Sequence, residues 1–162
     1  MCRIRTGKID ANEADVDGLY PFFTCAVGTL RINTPAFDTK AILVAGNGDL
    51  NVKYYEGKFN AYQRTYVIES RDEANALPMF LYAFLDLYVG ELRKLAIGGV
   101  IKYIKLPYLT EAVVPLPAIS AQRSFVARLK SAERIRTSLN ASSGQSAALF
   151  ASLQDRAFRG AL

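Results

Sequence analysis

The sequence predicts an α+β fold in two parts, a strand-rich globular domain over residues 1–117 and a long helical segment over residues 118–162. Three observations carry this. Half of the 162 residues are hydrophobic and 9 Phe and 9 Tyr are present, enough to build a core. Residues 1–71 mix β-branched and aromatic runs with turn formers, the mark of strands and hairpins. From Ser120 onward the pattern turns helical for nearly forty residues.

In chain order, strands are expected at Tyr20–Ala26, Ala41–Ala45, Val52–Tyr55 and Tyr62–Glu69. Turns are expected at Asp17-Gly18, Gly46-Asn47-Gly48-Asp49 and Glu56-Gly57-Lys58, where glycine and Asx residues tolerate tight backbone. The third turn predicts a hairpin around Gly57. Leu77, Phe80, Leu81, Phe84, Leu85, Tyr88 and Leu92 recur every three or four residues, the stripe of a helix packed on a core. Pro78 suits its first turn, where a missing N–H costs little, and Gly98-Gly99 follows its end. Val100–Ile104 and Ala112–Leu116 read as two more strands.

Pro115-Leu116-Pro117 marks a boundary, because each proline pushes the residue before it toward extended backbone. Ser120 is the expected N-cap of the following helix. Phe125, Leu129, Ala132, Leu139, Phe150, Leu153 and Ala157 fall on one heptad seam, with Arg136, Ser143 and Ser146 as weak links. Ser142-Ser143-Gly144 is the expected bend or break. A helix of this length exceeds what a domain of 117 residues can cover, so the seam calls for a partner.

Charge and residue types narrow the function. Residues 1–117 carry 13 basic and 13 acidic side chains, and residues 118–162 carry 7 and 2, so the net +5 sits in the helical part. Cys2 and Cys25 form no metal or disulfide pattern, and no cofactor is expected. No histidine is present, which removes Ser-His-Asp and Cys-His catalysis and most neutral-pH acid–base schemes. No apolar run is long enough to span a bilayer, and a cytoplasmic protein is expected. Asp38, Glu56 and Lys58 imitate the carboxylate–lysine set of Mg²⁺-dependent nucleases, but a glycine between Glu56 and Lys58 argues for a turn instead.

Three clusters join cations, amides and aromatics. One holds Arg3, Arg5, Thr6, Gly7 and Lys8. A second holds Asn47, Lys53, Tyr54, Tyr55, Lys58, Asn60, Tyr62, Gln63 and Arg64. A third holds Lys102, Tyr103 and Lys105. Lysine and arginine suit phosphates, and Asn, Gln and Arg can pair with base edges. The same residues suit a solvated β surface equally well. Strand alternation further divides them, since Tyr54 and Tyr55 must point to opposite faces.

Several motifs together resemble the target recognition domain of type I restriction-modification specificity subunits. They are Arg5-Thr6-Gly7-Lys8-Ile9-Asp10-Ala11-Asn12, Tyr20-Pro21-Phe22-Phe23-Thr24-Cys25, and Ala45 to Asp49 followed by Val52 to Arg64. Gly99 to Lys105, Pro115-Leu116-Pro117, Gln122-Arg123 and Ala157-Phe158-Arg159-Gly160 complete the set. The resemblance implies a non-catalytic subunit that reads double-stranded DNA. It would direct methyltransferase (modification) subunits and a restriction/translocase subunit to a bipartite site, and each helix would pack antiparallel in a coiled-coil spacer. One recognition domain and one helix are half the family's usual complement, so a homodimer through the heptad seam is expected. A decayed, scaffold-only subunit is the other reading of the same motifs.

Overall fold

The computed structural model describes the backbone of residues 1–158; the side chains of residues 143, 144, 146–151, 153 and 155–158 lie outside the described set. Six strands form one sheet: β1 (Cys2–Thr6), β2 (Tyr20–Phe23), β3 (Leu30–Ile32), β4 (Phe37–Ala45), β5 (Val52–Ala61) and β6 (Thr65–Ser70). The helices are α1 (Pro78–Leu95), the single turn α2 (Pro107–Thr110) and α3 (Ile119–Phe158). The strand order is β1-β6-β4-β5-β2-β3. All neighbours run antiparallel except β2 and β5, which are parallel through Phe22↔Asn60 and Phe23↔Ala61. The α+β class and the long C-terminal helix are as the sequence predicts.

The sheet has to coil. β5 starts beside the end of β4 (Val44↔Val52) and runs for 10 residues, about 33 Å if straight. Yet β6 begins at Thr65, opposite Ala45 at that same end of β4. Three linking residues reach at most about 14 Å, so β5 must arc back. Gly57, at φ 125°, sits where the strand bends, a conformation that only glycine adopts freely. The arc brings Ala61 so close to Gly7 that a Cβ on Gly7 would fall 1.7 Å from the Ala61 carbonyl. The expected hairpin at Gly57 is therefore corrected: the glycine bends one long strand and does not reverse it.

Alternation along these strands divides the core in two. On one face Ile42, Val44, Val52 and Ile68 pack against Leu81, Leu85, Val89 and Leu92 of α1, with Ile104 and Leu109 closing the layer. Leu81, Leu85 and Leu92 belong to the predicted stripe. On the other face the coiled sheet encloses Phe23, Ala41, Leu43, Phe59, Ala61 and Val67. Phe59 is its centre, with ring centroids 5.0 Å from Phe37, 5.6 Å from Phe23 and 5.8 Å from Tyr55.

Other expectations are corrected. Val100–Ile104 is a loop, because Gly98 (φ 122°) turns the chain back so that Ile97 and Tyr103 bond to each other. Ala112–Leu116 alternates inward and outward like a strand but pairs with none; Pro115 supplies no donor for a ladder. Strands β1 and β3 are not expected from the sequence. Ser120 is not the cap: the helix already begins at Ile119, and the Ala118 carbonyl accepts from the Ala121 and Gln122 amides. The helix also runs unbroken through Ser142-Ser143-Gly144.

The chain divides into two compact units, Met1–Gln122 and Arg123–Leu162. Within the first, Gln122 is fully buried. Its Oε1 accepts from the Leu77 amide at 3.0 Å, and its Nε2 donates to the Asn75 and Pro117 carbonyls at 2.8 Å each. Leu77 is the N-cap of α1 and offers no side-chain cap of its own, so Gln122 binds a backbone donor that α1 leaves open. In the second unit, the described seam residues range from half-buried to exposed: Phe125 is 43% exposed and Leu139 64%. Ala132 is exposed and Leu129 half-buried. Ile135, exposed and placed three residues after Ala132 and four before Leu139, widens the expected seam. The side chains of Phe150, Leu153 and Ala157, like Arg159 and Gly160 of the terminal motif, lie outside the described residues. No helix among the described residues is long and apolar enough to cross a membrane.

Candidate nucleic-acid interface

The coiling of β5 gathers five segments at one end of the sheet. They are the β1 exit (Gly7–Asp10), the loop after β2 (Thr24–Ala26), the β4–β5 turn (Gly46–Asn51), the β5–β6 turn (Tyr62–Arg64) and the loop after α1 (Ile97–Lys105). Backbone bonds stitch them together. The Gln63 amide donates to the Ile9 carbonyl at 3.0 Å, Gly46 to Arg64 at 2.9 Å, Gly48 to Lys102 at 2.8 Å and Ile104 to Gly46 at 2.9 Å. The Tyr66 hydroxyl donates to the Ile104 carbonyl at 3.3 Å; burial pushes this phenol above its ordinary pKa. Such cross-bonded loops form a stiff platform, the kind of scaffold on which binding groups are held in place.

The platform brings together part of the predicted set. Asn47, Gln63 and Arg64 line one cleft of about 230 Å³ with Thr6, Tyr66 and Tyr103. Lys8, Gln63, Arg64, Lys102 and Lys105 are exposed and Asn47 is half-buried. Asp10 orients Gln63, accepting from its Nε2 at 3.1 Å. The side-chain carbonyl of Gln63 remains available as an acceptor. None of Lys8, Arg64, Lys102 and Lys105 enters an ion pair among the described residues. Their charge is available to a polyanion.

The remaining members have partners within the fold. Lys53 points into the coiled face and donates to the Thr24 and Ala26 carbonyls. Burial lowers its ammonium pKa below the ordinary lysine value. With Asn51, whose Nδ2 donates to the Cys25 carbonyl at 2.8 Å, it fastens the Thr24–Ala26 loop. Tyr55 packs edge-on against Phe59. Asn60 is buried, its Nδ2 spent on the Thr34 carbonyl and its Oδ1 on the Ala61 amide. Arg5 donates to Glu69 at 2.7 Å and stacks 4.9 Å from the Phe37 ring centre. These four have partners that folding explains.

Lys58 lies elsewhere on β5. It stands opposite Asp38, and Glu56 stands opposite Lys40, while Lys40 also bonds Glu73 at 2.8 Å. Asp38 and Glu56 thus each face a cation in a cross-strand ladder, where a nuclease would need converging carboxylates. Nothing supports the nuclease alternative. Tyr66 and the Thr24–Ala26 loop, expected as the end of the Tyr20–Ala26 strand, are parts of the platform that lie outside the three predicted clusters. Alternation from Thr65 could have flagged Tyr66, whereas only the coil of the sheet reveals the loop.

Comparison with known proteins accords with this architecture. Residues 1–146 match the family model described as the type I restriction modification DNA specificity domain. Over 129 residues, 80% of this chain, the sequence is 46% identical to the type I restriction enzyme EcoDI specificity subunit of Escherichia coli, covering 28% of that protein. The S subunit of a type I restriction-modification system from M. genitalium superposes with a TM-score of 0.74 at 19% identity, over 84% of this chain and 38% of that one. The HsdS subunit from Thermoanaerobacter tengcongensis gives 0.63 at 18% identity, over 99% and 43%. These structural likenesses concern the fold. The chain spans 28% of the length of the curated relative it matches.

Proposed function

We propose, since this chain belongs to the type I restriction-modification DNA specificity domain family, that its five-segment platform reads one half of a bipartite site in double-stranded DNA. The observation that carries the reading is the meeting of Asn47, Gln63 and Arg64 in one cleft, on a platform whose cations have no ion-pair partners among the described residues. Asn, Gln and Arg are the side chains that can form paired hydrogen bonds with adenine and guanine edges. Lys8, Lys102 and Lys105 then hold phosphates and fix the register without reading sequence.

In this reading the chain is a non-catalytic adaptor. It brings methyltransferase subunits, and with them a restriction/translocase subunit, to the site. The seam of α3 through Phe125, Leu129, Ala132, Ile135 and Leu139 pairs with the same seam of a second copy, antiparallel, as a spacer. Phe150 and Leu153 extend that seam by heptad position. An isologous pair carries two identical readers, so its site is a split palindrome.

The test is DNA affinity against salt for the full chain assembled with its methyltransferase subunits. Replacing Lys8, Arg64, Lys102 and Lys105 with alanine is expected to weaken binding and to flatten the log–log salt slope by about 0.9 for each phosphate no longer neutralised. An unchanged slope would remove the interface.

A further inference from the structure

The loop between α1 and α2 carries a feature that folding does not explain. Ile97 and Tyr103 exchange both backbone bonds, at 3.0 and 2.8 Å, and clamp Gly98–Lys102 into a short closed loop. Gly98 has φ 122°, and a Cβ there would fall 2.5 Å from the Ile101 carbonyl, so the loop depends on that glycine. Its far side is fixed too, because the Lys102 carbonyl accepts from Gly48 in the β4–β5 turn. The base is therefore rigid and seated on the platform beside Asn47.

The tip, in contrast, is bare. Val100 is 103% exposed and Ile101 63%, and neither belongs to either core cluster. Two adjacent β-branched apolar residues on a braced loop gain nothing from water. A lone exposed apolar residue would be ordinary. Here the pair shares one loop with the exposed Lys102 and Lys105, and Tyr103 of that loop lines the cleft holding Arg64. That surrounding charge favours a polyanion over an apolar protein surface. A side chain without donors or acceptors can read only one thing on a base-pair edge in the major groove, the 5-methyl group of thymine.

The geometry points to Val100 and Ile101 as an apolar reading tip that contacts thymine 5-methyl groups in the recognised half-site, steadied by Lys102 and Lys105 on adjacent phosphates. The assignment rests on the DNA-reading function proposed above and names one chemical element of its specificity. It adds a methyl-sensing contact to the hydrogen-bonding set of Asn47, Gln63 and Arg64.

The test uses the full chain assembled with its methyltransferase subunits and a duplex carrying the half-site mapped from the DNA it methylates. Each thymine is replaced in turn by uracil, which deletes the methyl and keeps the pairing. One or two replacements are expected to weaken wild-type binding by about three- to tenfold, the scale of one or two buried methyl groups. The same replacements should have no further effect on the Val100→Ser/Ile101→Ser variant, which should itself bind the thymine duplex correspondingly less well. Both residues are exposed, so the variant keeps its fold, and its melting curve checks this. A half-site without an A·T pair, indifference to every uracil, or undiminished DNA affinity of the variant would each overturn the tip. A variant that binds DNA normally but loses its methyltransferase subunits would assign the tip to a protein contact instead. Absence of any preference for the half-site over a scrambled duplex would remove the DNA-reading function, and the tip with it.

Discussion

The two units of this chain treat apolar residues in opposite ways. Up to Gln122, most large apolar side chains of the sheet and α1 are buried, Phe22, Ile42, Phe59 and Leu92 entirely, while Leu87 on the outer face of α1 stays 82% exposed. Beyond it, Ile135 and Leu139 stand 61% and 64% exposed on a forty-residue helix. The first unit closes its own core. The second displays a stripe that only another surface can bury, as a helix with an unmatched apolar face must. In the function proposed above, recognition falls to the sheet unit and assembly to the helix.

The two units separate most clearly at Phe59. Its ring meets Phe23, Phe37 and Tyr55 at once, and Phe59→Ala is expected to cost about 3–5 kcal/mol of the sheet unit's stability, read as a lower denaturation midpoint. Leu139→Asp should leave that midpoint unchanged. It would instead bury an unpaired carboxylate in the seam, weakening self-association by about 3–5 kcal/mol; sedimentation should show dimer for the wild type and monomer for the variant. Next comes Gln122→Ala, which strips partners from the Leu77 amide and from the Asn75 and Pro117 carbonyls. A loss of about 2–3 kcal/mol is expected, measured by chemical denaturation. Smallest is Arg64→Ala, which should change stability by less than about 0.5 kcal/mol while lowering DNA affinity, a separation that stability and binding measurements on the same sample resolve.

The same contrast governs what is legible in the sequence. The α1 stripe is legible because a helix records its burial locally, every three or four residues, and Pro78 marks its start. The helix α3 is legible from the same three- and four-residue spacing, with Ile135 lying beside the strict heptad positions. The coil of the sheet is not legible. Gly57 signals a departure from regular strand, but whether it bends or reverses the chain is decided by the long-range partners of β5, Phe37 to Val44 on one side and Phe22 and Phe23 on the other. That coil decides the site as well. It carries Gln63 and Arg64 to Asn47 and Tyr103, and it turns Lys53 and Asn60 toward carbonyls that a linear reading does not reveal. β1 is hidden because it is a short edge strand whose Arg3 and Arg5 look like surface, though Cys2 and Ile4 on its other face pack on the core. Val100 and Ile101 resemble a strand because β-branched residues are common in strands, and only the closure of Ile97 on Tyr103 shows them as a loop tip.

It is the looped end of the coiled sheet, and not the charged ladder at Asp38 and Lys58, that we take to read DNA. The decisive measurement maps methylated positions in DNA modified by the chain with its methyltransferase subunits, comparing the wild type with a variant carrying Asn47→Ala, Gln63→Ala and Arg64→Ala. One defined half-site sequence is expected for the wild type. For the variant, relaxed preference at two or three of its positions, or loss of modification altogether, is expected. An identical, equally sharp motif from both proteins would contradict this assignment.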